Sequence, residues 1–203
     1  MAKEQKDNSN QKRYIAQFAY NEFKRKGIKA VKMDDLASSL GISKRTIYEL
    51  FEDKEALLVE GLKNDLEQNK KYYNELINES DSFFDSFLKW LSVNINQIRG
   101  INCNFLIDLT HYQKVQDYFN QQKDIRHQES KLLMERGISE GVFRNDIDYD
   151  ILIKVQELLK QEMINRSFVN ESNLDTYFKS VQLVILRGVC TDKGLQILNK
   201  YEF

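Results

Sequence analysis

The sequence predicts an all-α chain of about nine helices, and three observations carry that prediction. The 203 residues contain no proline and only eight glycines. Proline lacks the N–H that a helix interior needs and clashes with the preceding turn, so its absence permits long helices. Gly27, Gly41, Gly100 and Gly141 stand where helical apolar periodicity stops, the C-terminal place that favours glycine. No alternating apolar–polar stretch long enough for a strand occurs. The 41% hydrophobic content suffices for a packed core, and no apolar run approaches the ~20 residues of a membrane span.

Taken in order, Asn8 or Ser9 is placed to cap a first helix reaching about Lys26, with Ile15, Phe18, Ala19 and Phe23 on one face. The polar residues before it are expected to fray. Residues 34–51 then read as two short helices broken at Gly41. Ala37 is small enough for helices to approach closely, and Gly41 takes the positive φ of a tight turn. Ile47 returns an apolar side chain to a small core with Leu36, Leu40, Ile42 and Phe51. This spacing describes a helix-turn-helix, whose second helix lies in a DNA major groove.

Asp53 is a good cap for a long fourth helix from Lys54 to about Asn78, striped by Leu57, Leu58, Leu62, Leu66, Tyr73 and Leu76. Ser80 or Asp81 opens a fifth helix, where Phe84, Phe87, Leu88, Leu91, Ile95 and Ile98 recur at helical spacing until Gly100. Cys103–Leu109 is a short sixth. Residues 113–140 read as one long helix with Val115, Phe119, Ile125, Leu132 and Leu133 inward. A loop over 141–148 follows. Two last helices, 149–168 and 173–199, are separated by a polar turn at 170–173.

The net charge of −1 hides an asymmetry. Residues 1–54 hold 12 Lys and Arg against 8 Asp and Glu, a balance of +4, while residues 55–203 stand at −5. A positive end beside a negative remainder fits a nucleic-acid surface confined to the N-terminal part. The exposed side of the second short helix carries Ser43, Lys44, Arg45, Thr46 and Tyr48. All five are residue types that can contact phosphates or base edges, and Arg45 has the fork that pairs with guanine O6 and N7.

These residues resemble the tetracycline-repressor (TetR) family of transcriptional regulators. The resemblance is strongest over 14–62: Ile15, Ala19, Phe23, Gly27, Leu36-Ala37, Gly41-Ile42-Ser43-Lys44, Ile47-Tyr48, Phe51 and Lys54-Glu55-x-Leu57-Leu58. It implies a helix-turn-helix DNA-binding domain over 1–54 and a helical effector-binding and dimerisation domain over 55–203. It further implies a homodimer through the last two helices, a double-stranded, pseudo-palindromic DNA operator, and repression relieved by a small-molecule effector. Tyr48 matches a phosphate-contacting tyrosine and Lys54 a lysine approaching phosphate at the next helix start. Ser43, Lys44, Arg45 and Thr46 match operator-contacting positions. Lys32 stands where relatives often have a capping Ser or Thr that touches phosphate. Leu50 replaces a frequent phosphate-binding histidine.

The middle of the chain is rich in aromatics, most of them expected in the core. Phe87, Trp90, Phe105, His111 and Phe119 are the candidates for an effector pocket with a polar handle. Asp108-x-x-His111 and Asp124-x-x-His127 put carboxylate and imidazole on one helix face. Roughly 20 Å of helix would separate the two histidines, so no shared metal site is expected. No nucleophile–base pair or phosphate loop supports catalysis, and no cofactor is implied. Cys103 and Cys190 suggest no disulfide framework, and the opening residues lack a secretory apolar stretch. A cytoplasmic setting is therefore expected. Two other readings fit the same residues. One is a DNA-binding protein controlled by a protein partner; the other is a helical metal- or ligand-binding enzyme with an incidental basic N-terminus.

Overall fold

The computed structural model describes residues 2–165 and 174–203, and among them it is all-α. Eleven helices occur in these residues: α1 Ala2–Lys26, α2 Met33–Ser39, α3 Lys44–Leu50, α4 Lys54–Asn78, α5 Phe83–Ile98, α6 Cys103–Leu109, α7 Gln113–Gln121, α8 Lys123–Ser139, α9 Tyr149–Asn165, α10 Leu174–Val189 and α11 Asp192–Leu198. The only pairing of extended backbone among them is an isolated antiparallel bridge between Phe143 and Cys190. The chain forms two compact units. The first takes in residues up to Lys70 together with Gly100–Gln121; the second comprises Lys71–Arg99 and Gln122–Phe203.

In the first unit, Ile15, Phe23, Leu36, Ile47, Leu57, Leu58, Phe105 and Val115 are buried in one core. The α2–α3 turn follows local chemistry. Gly41 has φ +65°, and Ile42 N–H donates to Ala37 O at 3.0 Å. Nothing would crowd a Cβ at Gly41, so its demand is for the left-handed backbone alone. The opposite holds at Gly61 in α4, which the sequence does not single out. A Cβ there would meet Tyr20 Cβ at 2.6 Å and Ala16 O at 2.7 Å, so α1 and α4 touch backbone to backbone. Asp53 caps α4, its Oδ1 accepting from Ala56 N–H at 2.6 Å.

The second unit packs Phe83, Phe84, Leu88, Leu91 and Ile95 of α5 against Val142, Phe143, Leu186, Val189, Cys190 and Leu198. Phe84 and Phe143 meet edge to face at 5.4 Å. Ser82 caps α5 through Asp85 N–H, and Asp85 in turn accepts from Tyr201 Oη at 2.8 Å. Cys103 and Cys190 are buried and are not joined in a disulfide. Burial pushes the Cys190 thiol up to about 11.

Four expectations need correction. The first helix starts at Ala2 rather than at a cap near Asn8, because Ala, Lys, Glu and Gln are good helix formers. The single helix over 113–140 is two, divided at Gln122: Val115 and Phe119 serve the first core, while Leu133 and Met134 serve the second. Ile125 and Leu132 are exposed, not inward, as is Leu66 of α4. The last helix is likewise two. It stops where Cys190 pairs with Phe143 and restarts at Thr191, whose hydroxyl accepts from Gly194 N–H. The expected turn at 170–173 lies outside the described residues.

Candidate nucleic-acid interface

Helix α3 is seven residues long, and Ile47, fully buried, is its single buried side chain. That anchor fixes which side faces out. Ser43 caps the helix, its hydroxyl accepting from Thr46 N–H at 3.0 Å and lying 2.8 Å from the Thr46 hydroxyl. The cap satisfies a backbone donor that would otherwise be orphaned at the helix start. Lys44, Arg45 and Tyr48 project outward, Tyr48 with half its surface exposed.

The two cations of α3 already have carboxylate partners. Lys44 pairs with Asp34 of α2, which raises its pKa. Arg45 Nε donates to Glu49 Oε1 at 2.6 Å, one turn along α3. Both pairs are largely exposed, so each contributes little to stability and stays available for exchange with phosphate or base acceptors. Lys32 is exposed at the N-cap of α2 and makes no capping hydrogen bond, while Asp34 and Asp35 lie in that helix's first turn. Leu50 packs against the first core.

Lys54 sits differently. Its ammonium lies 5.7 Å over the Phe23 ring. Burial lowers its pKa, opposed by the Asp108 charge. Asp108, on α6, is buried and accepts from Lys29 twice: from the backbone N–H at 3.1 Å and from Nζ at 3.0 Å. Lys114 of α7 reaches Asp53 at 2.7 Å and Glu52 at 3.3 Å, and its N–H donates to Glu55 at 2.6 Å. The α6–α7 segment therefore holds both the α1–α2 connection and the start of α4. Partners 79 and 61 residues apart leave no local signal for sequence reasoning to find.

Several of the flanking cations are likewise paired: Lys24 with Asp65 at 2.8 Å, Arg25 and Lys26 with Glu22, and Lys29 with Asp108. The positive balance of the N-terminal part is thus partly neutralised within the unit, and the α3 cations differ from the others by the greater exposure of their carboxylate partners rather than by lacking partners.

The five pocket candidates fall in different surroundings. Phe105 is core, edge-on to Tyr20 at 5.5 Å, and Phe119 packs on that same core. His111 is exposed, with Nδ1 2.9 Å from Ile107 O. Phe87 and Trp90 neighbour each other in the second unit, ring centres 5.9 Å apart. None of the five lines the concavity of about 330 Å³ that Met134, Ile138, Ile147 and Tyr149 form with Lys131 and Glu135. His127 pairs with Asp150 at 3.0 Å rather than with Asp124, and among the described residues no three metal-ligating side chains gather.

A capped, singly anchored short helix presenting Lys, Arg, Thr and Tyr beyond a glycine turn is a helix-turn-helix DNA-reading element. Comparison with known proteins agrees. Residues 15–60 match the model of bacterial regulatory proteins of the tetR family. The HTH-type transcriptional repressor KstR2 of Mycolicibacterium smegmatis is 22% identical over 145 residues, spanning 69% of this chain and 71% of that protein. A TetR-family transcriptional regulator from Cytophaga hutchinsonii superposes with a TM-score of 0.66 at 17% identity, over 92% of this chain and 98% of its own. A transcriptional regulator from Saccharomonospora viridis, solved in complex with choline, superposes at 0.51 with 18% identity, over 90% and 99%. Residues 15–60 thus carry a tetR-family domain, and the chain is a TetR-like DNA-binding transcriptional regulator.

Proposed function

We propose that the protein is a homodimeric repressor that binds a pseudo-palindromic operator through two copies of the 1–54 head and leaves it when residues 55–203 take up a small-molecule effector. The outward face of α3 carries the reading: it offers one guanidinium, one ammonium, two hydroxyls and a phenol around a single buried anchor. Arg45 reads a base edge, while Lys32, Lys44, Tyr48 and Lys54 serve phosphates.

Dimerisation is supported by α9 and α10. Ile151, Val155, Leu158 and Leu159 are exposed at helical spacing on α9, and Val184 on α10 is 72% exposed. Apolar side chains exposed this way favour a protein partner over water, and the symmetry of a dimer would match that of the operator. An effector acts only by preferring the arrangement that does not bind DNA. The Saccharomonospora viridis regulator was solved in complex with choline, which supports a small-molecule effector, and the aromatic neighbourhood of Phe87 and Trp90 favours an apolar or cationic one here.

The test separates readout from charge. Arg45→Ala is expected to weaken operator binding far more than binding to random DNA. Lys32→Ala should weaken both alike and flatten the salt dependence. Equal losses from both substitutions on every sequence would refute these roles.

A further inference from the structure

We propose that Glu49 is a specificity-determining residue, which aims Arg45 at guanine and selects cytosine beside it. The inference rests on the reading of α3 as the helix that enters the major groove. An acidic side chain on a DNA-facing helix is unfavourable near phosphate, and its presence there calls for a compensating role. Its geometry supplies one. Arg45 Nε donates to Glu49 Oε1 at 2.6 Å, and the two residues are one helical turn apart on the same face.

A guanidinium has one N–H on Nε and two on each Nη, all in one rigid plane. With Nε held by Glu49, the side-on fork of Nε and Nη2 is used up. The end-on fork of Nη1 and Nη2 remains, pointing away from the carboxylate, and it matches the paired acceptors O6 and N7 of guanine. Holding the plane in advance also removes rotamer freedom that docking would otherwise have to freeze. The Arg45 side chain is 86% exposed, so no packing fixes its plane and the carboxylate is the group that does.

Glu49 keeps Oε2 as an acceptor with no proton to give. Guanine and thymine present acceptors at the corresponding major-groove positions and are repelled. Adenine offers its N6 amine only beside the N7 acceptor, which repels the carboxylate, whereas cytosine presents its N4 amine with no acceptor next to it and is favoured. In water the exposed ion pair is weak; once docking excludes water, the same contact strengthens and the penalty for a mismatched edge rises. The pair therefore acts as one reading unit for a guanine with a neighbouring cytosine.

The experiment is selection of binding sites from a randomised duplex pool by the full-length protein and by Glu49→Ala, Glu49→Gln and Asp35→Asn, each checked for unchanged helical content. The wild type is expected to enrich a guanine flanked by cytosine in each half-site. Glu49→Ala should relax both preferences by about tenfold, leaving the other positions intact. Glu49→Gln, which keeps an acceptor for Arg45 Nε, should retain the guanine and lose the cytosine. Asp35→Asn removes the same charge from exposed α2 and should tighten binding to all sequences with every preference kept. If the Glu49→Ala preferences coincide with those of the wild type or of Asp35→Asn at every position, the inference is overturned while the reading of α3 stands. If the wild type enriches no motif, the reading of α3 falls, and the inference with it.

Discussion

Replacing Gly61 by alanine sets two effects of opposite sign against each other, and the structure decides between them. In an open helix, Gly→Ala stabilises by about 1 kcal/mol, because glycine has more backbone freedom to lose. Here the added Cβ would lie 2.6 Å from Tyr20 Cβ and 2.7 Å from Ala16 O, against about 3.5–4.0 Å for ordinary carbon contacts. Neither neighbour is the end of a flexible side chain. Relief requires α1 and α4 to move apart by about 1 Å, reopening a core that holds Ala16, Tyr20, Leu57, Leu58 and Leu62. Overpacking costs typically 1–3 kcal/mol, and this rigid contact belongs at or above the top of that range. The net is a loss of about 2 kcal/mol. With a urea slope of about 2 kcal/mol/M, the unfolding midpoint should fall by roughly 1 M. Urea titration followed by circular dichroism at one fixed protein concentration reads this directly. A midpoint unchanged or raised would refute the close approach of α1 and α4.

Two further outcomes follow from the titrating groups. The Lys114 ammonium, and next the Ala56 N–H, hold the Asp53 carboxyl below its usual value. Its folded pKa is depressed, so its stabilisation is full above the unfolded value near 3.9 and is lost as pH falls through the folded value. Urea midpoints measured from pH 6 to pH 3 should therefore fall less steeply for Asp53→Asn than for the wild type; parallel curves would contradict the clamp. Cys190, with its thiol pushed up to about 11 by burial, should react with a thiol reagent at pH 8 on the order of a hundredfold slower than an exposed cysteine. Reaction at the exposed rate in the native protein would contradict its burial beneath Phe143 and Gly194.

The helix-turn-helix was legible because its determinants are local. Gly41, the Asp53 cap, and the apolar spacing of Leu36, Ala37 and Ile47 all act within one or two turns of themselves. The break at Gln122 carries no glycine or proline, and the residues on either side serve different cores, which periodicity cannot register. The restart at Thr191 had a readable cap, but Val189, Cys190, Leu195 and Ile197 continue the apolar pattern through it. Gly61 looks like any helical glycine until α1 is packed against it. Asp108 and Lys114 find their partners 60 to 80 residues away, so their roles exist only in the folded chain. Periodicity also marks an apolar face without saying what it meets: Ile125, Leu132 and Ile151 share the spacing of core residues and stand exposed. On α3, residue types gave the outward cations, whereas the pairing of Arg45 with Glu49 needed the side-chain geometry.

The most direct test of the central claim is fluorescence-anisotropy titration of DNA from upstream of the protein's own gene against scrambled DNA of the same composition, near physiological salt. Binding at least a thousandfold tighter to the upstream DNA, with that preference cut at least tenfold by Arg45→Ala, is the predicted result. Equal, weak binding to both duplexes, insensitive to Arg45, would contradict sequence readout by α3.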